Sequence, residues 1–167
     1  MEKIGDPAKA EAKVLQDMQD IVSKMKALSA QDVKDAQHGY LLLREIRSSI
    51  YEDLNQILHE GLLIRGLMWL LQNGFSSNIE WRWNPRQSGK GDEPDLKGSL
   101  HGRVLVCAEA TASENPVGTI DTRMDKTLTK LGQMEGQHFY FVITDTMAKR
   151  ARTKAGRGNR SITVVKI

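Results

Sequence analysis

The spacing of apolar residues changes at Asn73-Gly74, and this change constrains the fold more than any other feature of the chain. Before it, apolar residues recur every three or four positions, which indicates helices. After it, they alternate with polar residues or form short runs bounded by turns, which indicates strands. A helical first part followed by strands and helices in alternation predicts an α/β protein.

The first 58 residues are predicted to form an antiparallel helical hairpin. Asp6-Pro7 supplies an N-cap and a proline suited to the first helical position. The first helix has apolar residues spaced by four and three: Val14, Met18, Ile21, Met25 and Leu28. The second has a similar series: Tyr40, Leu43, Arg47, Ile50, Leu54 and Ile57. The hairpin could pack on the rest of the chain or form a dimer interface.

Residues 59–167 are predicted to form a second unit built around a mixed sheet of four to five strands flanked by helices. A further helix, His59 to Gln72, is apolar nearly all round, as in a helix buried against a sheet. Strands are expected at residues 79–83, 95–100, 103–111, 137–144 and 162–167. Helices are expected at residues 119–135 and 147–155.

Composition is that of a globular protein able to bury a core. The chain has 167 residues, of which 40% are apolar and 27% charged. Its longest apolar runs, such as residues 67–71, are too short to span a bilayer. A single cysteine, Cys107, excludes an internal disulfide. These features favour a cytoplasmic protein without a membrane partner.

Positive charge is concentrated at the C-terminal end. The net charge is +3, but residues 146–167 contain seven Lys or Arg and no acid, so the remainder carries −4 (+3 minus +7). Such a segment suits a polyanionic partner such as nucleic acid, because phosphate contacts release counterions. Charge alone is equally consistent with a solvated helix face.

Two acidic residues indicate a metal site. Asp95, after Pro94, begins one strand, and Glu109 lies near the end of the next, so a hairpin turning at His101-Gly102 brings them to the same end of the sheet. Asp95 alone could be a turn residue. Glu109 follows apolar residues in a buried strand, where an unpaired carboxylate is unfavourable, which favours a functional role. Two carboxylates and a backbone carbonyl, that of Ala110, are oxygen ligands suited to magnesium.

The motif Pro94-Asp95 followed by Glu109-x-Thr111, within this order of elements, resembles the PD-(D/E)xK nuclease superfamily, whose fold is restriction-endonuclease-like. The resemblance extends over residues 60–143. It implies Asp95 and Glu109 as metal ligands, with Glu60 on the preceding helix as an additional acid. Family members have a lysine that orients or activates water where this chain has Thr111.

A cation could instead come from the following helix. Arg123, Lys126 and Lys130 lie at i, i+3 and i+7, and therefore share a face. Lys126 is the expected replacement, with Arg123 next. Catalysis would then involve Asp95, Glu109, Thr111 and Lys126.

The resemblance implies a magnesium-dependent nuclease, with manganese as an alternative ion, that acts on DNA. A homodimer through the N-terminal helices is an open alternative for the hairpin, and it would supply the two sites that cleavage of both strands requires. The expected nucleic-acid-binding residues are Arg86, Lys90, Arg123, Lys130, Lys149, Arg150 and Arg152. One alternative is a binding or scaffold protein of the same fold whose catalytic site has lapsed. Another is an interaction protein that uses the helical hairpin, with the sheet serving only as structure.

Overall fold

A computed structural model describes residues 1–85 and 92–167 of the chain. Its helices and strands follow one another as β1 (Glu2–Ile4), α1 (Pro7–Ser29), α2 (Ala36–Gln72), β2 (Glu80–Trp83), β3 (Leu96–Leu100), β4 (Arg103–Thr111), α3 (Thr119–Leu131), β5 (Gln137–Val142), α4 (Asp145–Arg157) and β6 (Ile162–Lys166).

The strands form one mixed sheet in the order β1-β2-β3-β4-β5-β6. The pairs from β1 to β4 are antiparallel, whereas β4-β5 and β5-β6 are parallel. The α/β class is therefore confirmed. The predicted number of four to five strands is wrong, because the sheet has six strands within the described residues. The additional strand, β1, has three residues, too few to show an alternating pattern.

The N-terminal region is helical, as predicted, and α1 and α2 pack antiparallel. Asp6 caps α1 by accepting a hydrogen bond from the backbone N–H of Ala8. A Cβ added at Gly61 would lie 3.2 Å from the Met18 side chain, so the middle of α1 lies beside the later part of α2. At the other end, Lys24 Nζ donates to the carbonyl of Ser49 at 2.7 Å.

Helix α2 runs without interruption for 37 residues, from Ala36 to Gln72. The separate helix predicted to begin at His59 is therefore wrong. Residues 55–60 contain neither glycine nor proline, so the helical hydrogen bonds have no reason to stop there. The expected boundary between residues 58 and 59 lies inside α2, which connects the hairpin to the sheet.

The predicted packing face of α2 is correct at Ile50 and Ile57, which are buried. It is wrong at Tyr40 and Leu43, which are 61% and 68% exposed, because Leu42 points inward instead. The helix has two apolar stripes, and spacing alone does not specify which stripe meets α1.

The sheet lies between two helical layers. Alternate residues of β4 and β5 pack on opposite sides, since side chains of a strand point alternately to its two faces. Ala108 and Phe141 join the core beneath α1 and α2, whereas Cys107 and Tyr140 join the core beneath α3 and α4. Glu109 follows Ala108 and therefore points to the side of α3.

Across the two described ranges, no helix is both long and apolar enough to cross a membrane. Even α2, the longest, has Asp, Glu and Arg side chains along most of its length.

Candidate functional site

Asp95 and Glu109 lie side by side where β3 begins and β4 ends. Leu96 pairs with Ala108 in the antiparallel register, so the residue before Leu96 lies opposite the residue after Ala108. The backbone N–H of Asn84 donates to the carbonyl of Asp95 at 2.9 Å and thereby extends the sheet to this position. Asp95 is 8% exposed and Glu109 is 5% exposed, so both carboxyl groups are buried.

Asp95 is held in its ionised form by its neighbours. Burial opposes ionisation, but interactions with His59, the backbone N–H of Ala110 and the side chain of Glu109 outweigh it and lower the pKa of Asp95 below its usual range. The Ala110 N–H donates to Asp95 Oδ2 at 3.0 Å. His59 Nε2 lies 3.4 Å from the same oxygen. Asp95 is therefore the negative charge around which the site is organised.

The pKa of Glu109 is shifted in the opposite direction to that of Asp95. Burial and the adjacent charge of Asp95 raise its pKa to about 8, although the ammonium group of Lys130 opposes that shift. At neutral pH the two carboxyl groups therefore share a proton, with Glu109 as the donor. A positive charge placed between the two carboxyl groups, in addition to that of Lys130, would displace this proton.

Lys130 extends from α3 to the carboxyl pair. Its Nζ lies 2.5 Å from Glu109 Oε1 and donates to the backbone carbonyl of Glu93 at 3.1 Å. Arg123 and Lys126, on the same face of α3, line the adjoining cavity. Of the three cations expected on this helix, it is thus Lys130 that contacts an acidic residue of the pair.

Thr111 occupies the position where the motif has lysine, and it is engaged with a tyrosine. The hydroxyl of Tyr140 donates to Thr111 Oγ1 at 2.6 Å. Burial raises the pKa of Tyr140 to about 12, so the phenol stays neutral. Thr111 lines the cavity, so its hydroxyl is positioned to bind water or substrate but brings no charge.

The carboxyl pair lies in the floor of an open cavity of about 900 Å³. One wall comes from α2: Tyr51, Glu52, Asn55, Gln56, Leu58 and His59. The opposite wall comes from α3: Ile120, Arg123, Met124, Lys126, Thr127 and Lys130. The floor is acidic, the α3 wall is basic, and the α2 wall has an exposed tyrosine.

Glu60 does not share this position. It is 3% exposed and accepts a hydrogen bond from Gln56 Nε2 at 3.3 Å. The described lining of the cavity includes Gln56 and His59 but not Glu60. From α2, it is His59 whose side chain lies beside Asp95, with Nε2 at 3.4 Å from Oδ2.

The basic residues of α4 lie apart from the cavity lining described above. Arg150 makes two hydrogen bonds to Asp121, at 2.7 and 2.9 Å, and Arg152 donates to the carbonyl of Val164. Lys149 lies on the same helix and is exposed. The structure does not bring these residues to the carboxyl pair. Two further candidates, Arg86 and Lys90, lie outside the described residues.

The carboxyl oxygens in the floor of the cavity are the type of ligand that a hard divalent cation prefers. Over residues 1–85 and 92–167, no group of three or more His, Cys, Asp and Glu side chains is arranged to hold a metal ion. Magnesium, however, is commonly bound by one or two carboxylates together with water and substrate phosphate. The adjacent carboxyl groups of Asp95 and Glu109 are of the kind that this pattern requires, and the carbonyl of Ala110 stays a predicted third oxygen.

Sequence reasoning assigned no role to His59. A signal was present, since Glu52, Gln56 and His59 lie at i, i+4 and i+7 and share one face of a helix. The proximity of that face to Asp95 depends on how α2 crosses the sheet, which periodicity does not specify.

No family model matches the chain, and neither a curated protein nor a solved structure is found to be similar to it.

Proposed function

We propose that this protein is a metal-dependent nuclease that hydrolyses phosphodiester bonds of DNA. The principal observation in support is the pair of adjacent, buried carboxyl groups of Asp95 and Glu109 in the floor of an open cavity. A buried acidic pair with strongly perturbed pKa values is typical of a functional site.

Magnesium, or manganese in its place, would be held by Asp95, Glu109 and the carbonyl of Ala110. A bound divalent ion activates water for attack and neutralises charge that develops on the phosphate. The raised pKa of Glu109 supports such an ion, because burial and the charge of Asp95 both penalise its ionisation until a cation compensates.

Lys130 supplies the positive charge that position 111 lacks. Its contact with Glu109 makes it the stronger candidate for orienting water or stabilising the transition state. Lys126 remains a prediction for this role, since it lines the same cavity. Together with Arg123 it offers a basic wall for the phosphates flanking the bond that is cut.

Membership in the PD-(D/E)xK superfamily is part of this proposal. In its support, α2, β2, β3, β4, α3 and β5 follow one another in the expected order, and β4 pairs antiparallel with β3 and parallel with β5. The lysine would have moved from the strand to α3 while remaining beside the second acid.

A binding protein with a lapsed site is the second candidate. The observation that favours it is the hydrogen bond between Thr111 and Tyr140, which places neutral hydroxyl groups where the family has a cation. Such a protein would retain the groove and its basic wall, and it would bind DNA without cutting it.

Dimerisation through the hairpin is also proposed. Exposed apolar side chains lie at its far end, including Val33 at 63% and Leu43 at 68% exposure. A dimer would provide two sites, as cleavage of both strands of a duplex requires.

Incubation of plasmid and single-stranded circular DNA with magnesium or manganese tests the proposal, with Asp95→Asn as the control. Cleavage by the wild type alone supports the nuclease. Salt-sensitive binding by both proteins, without cleavage by either, supports the lapsed site.

A further inference from the structure

The two walls of the cavity differ in chemistry. The α3 wall contributes Arg123, Lys126 and Lys130. The α2 wall contributes no lysine or arginine among its described lining residues, but it includes Tyr51, 62% exposed, and Leu58, 46% exposed. One wall therefore suits phosphate, and the other suits a flat apolar group.

A second concavity adjoins the first along α2. It is lined by Arg44, Arg47, Ser48, Tyr51 and Glu52 and has a volume of about 390 Å³. Tyr51 and Glu52 line both concavities, so the side chain of Tyr51 lies between the carboxyl pair and two arginines.

We infer that the substrate enters as a single strand of DNA that crosses Tyr51, with a base stacked on its ring, and continues to Arg44 and Arg47. This inference rests on the nuclease proposed above and specifies its substrate class. A single strand has a phosphate edge and a base edge, which match the two unlike walls. A duplex presents a phosphate backbone on both sides, and opposite the carboxyl pair its second backbone would meet Glu52 on the α2 wall of the first cavity, whose described lining there has no cation.

Stacking on an exposed aromatic ring is a general mode of binding single strands, since every base has a flat face. Cations that follow the backbone complete such a site and make it sensitive to salt. The route from Lys130 past Tyr51 to Arg44 supplies both components. Tyr51 is thus a specificity-determining residue that favours single-stranded tails or flaps over continuous duplex.

Binding measured without cleavage tests the inference. The full chain with Asp95→Asn is titrated into a fluorescein-labelled oligothymidine of about 20 nucleotides, longer than one binding site, and into a blunt duplex of the same length. The expected result is tighter binding of the single strand. Tyr51→Ala should weaken that binding about 5- to 100-fold, whereas Tyr51→Phe should restore it to within about twofold.

Tyr40→Ala is the matched control, because Tyr40 is on the same helix, is 61% exposed and lines neither concavity. It should leave single-strand binding unchanged, while Arg44→Glu and Arg47→Glu should weaken it and reduce its dependence on salt. Equal effects of Tyr51→Ala and Tyr40→Ala, or equal affinity for the blunt duplex, would overturn the inference.

Cleavage of the same oligonucleotides is measured in parallel with the protein that retains Asp95. Loss of the single-strand preference with cleavage intact would refute only the substrate class. Absence of cleavage together with Tyr51-dependent binding would refute only the nuclease.

Discussion

Lys130 Nζ lies 2.5 Å from Glu109 Oε1, although the lysine belongs to α3 and the glutamate to β4. The strand itself offers Thr111 at the position where the motif has a cation. The positive charge therefore reaches the second acid from a neighbouring helix. This relationship brings two carboxyl groups and an ammonium group together although position 111 is a threonine.

Replacing Lys130 should affect cleavage more than replacing Lys126. We expect Lys130→Met to lower the cleavage rate by about 100-fold or more, because it removes the cation beside Glu109. Lys126→Met should have a smaller effect that appears mainly as weaker DNA binding. Single-turnover rates at saturating enzyme separate the two effects, and a larger loss of rate in Lys126→Met would return the catalytic role to that residue.

Glu109 should make the free energy of unfolding fall as pH rises. Its pKa is about 8 in the folded protein and near 4.5 in the unfolded chain. Between these two values the folded state therefore binds more protons than the unfolded chain. The contribution of Glu109 to the free energy of unfolding is fully present below pH 4.5 and is lost as pH rises towards 8. Urea denaturation between pH 5 and 8.5 should show this decrease in the wild type but not in Glu109→Gln.

Magnesium should reverse part of that loss. A cation that binds only the folded state raises the free energy of unfolding and competes with the shared proton. The stabilising effect of magnesium should therefore grow with pH. An equal effect in Asp95→Asn would place the ion elsewhere.

The proximity of Asp95 and Glu109 could be predicted from the sequence. The turn at His101-Gly102, with φ of 50° and 79°, starts the antiparallel pairing of β3 and β4 and brings the two acids to the same end of the sheet. Their placement directly opposite each other also needs the irregularity between Gly98 and Ser99, which shifts the register by one residue and which the sequence pattern does not predict. The choice between Lys126 and Lys130 could not be predicted, because it depends on the rotation of α3 about its own axis. Periodicity places both on one face and does not say which meets the sheet.

The length of α2 and the presence of β1 could not be predicted either, for different reasons. The apolar pattern of α2 changes near residue 58, where the helix begins to pack on the sheet as well as on α1, and such a change of environment resembles a helix break in the sequence. Strand β1 has three residues, and its pairing with β2 comes from tertiary structure rather than from any local signal.

Close packing of α2 on the sheet makes Gly66 sensitive to substitution. A Cβ at this position would lie 2.6 Å from the ring of Phe141. Gly66→Ala should therefore lower the free energy of unfolding by about 1–3 kcal/mol through overpacking. Gly156→Ala in α4 is the control, since nothing lies within 4 Å and alanine favours helix, so stability should rise by up to about 1 kcal/mol. Equal effects in thermal melts would contradict this packing.

The hairpin dimer makes a prediction about mass. The chain is 18.7 kDa, so light scattering should report twice that value for the wild type. Leu43→Glu, which places a charge among the exposed apolar residues, should shift the protein to the monomer. A monomeric wild type at micromolar concentration would rule out this dimer.

The dependence of the DNA cleavage rate on magnesium concentration, compared between the wild type, Asp95→Asn and Glu109→Gln, tests the proposed site most directly. We expect a saturable, magnesium-dependent rate for the wild type and a loss of about 1,000-fold or more in both variants, with their folds intact by circular dichroism. Cleavage by either variant at the wild-type rate, or no cleavage by the wild type with magnesium or manganese, would show that the Asp95–Glu109 pair is not a nuclease site.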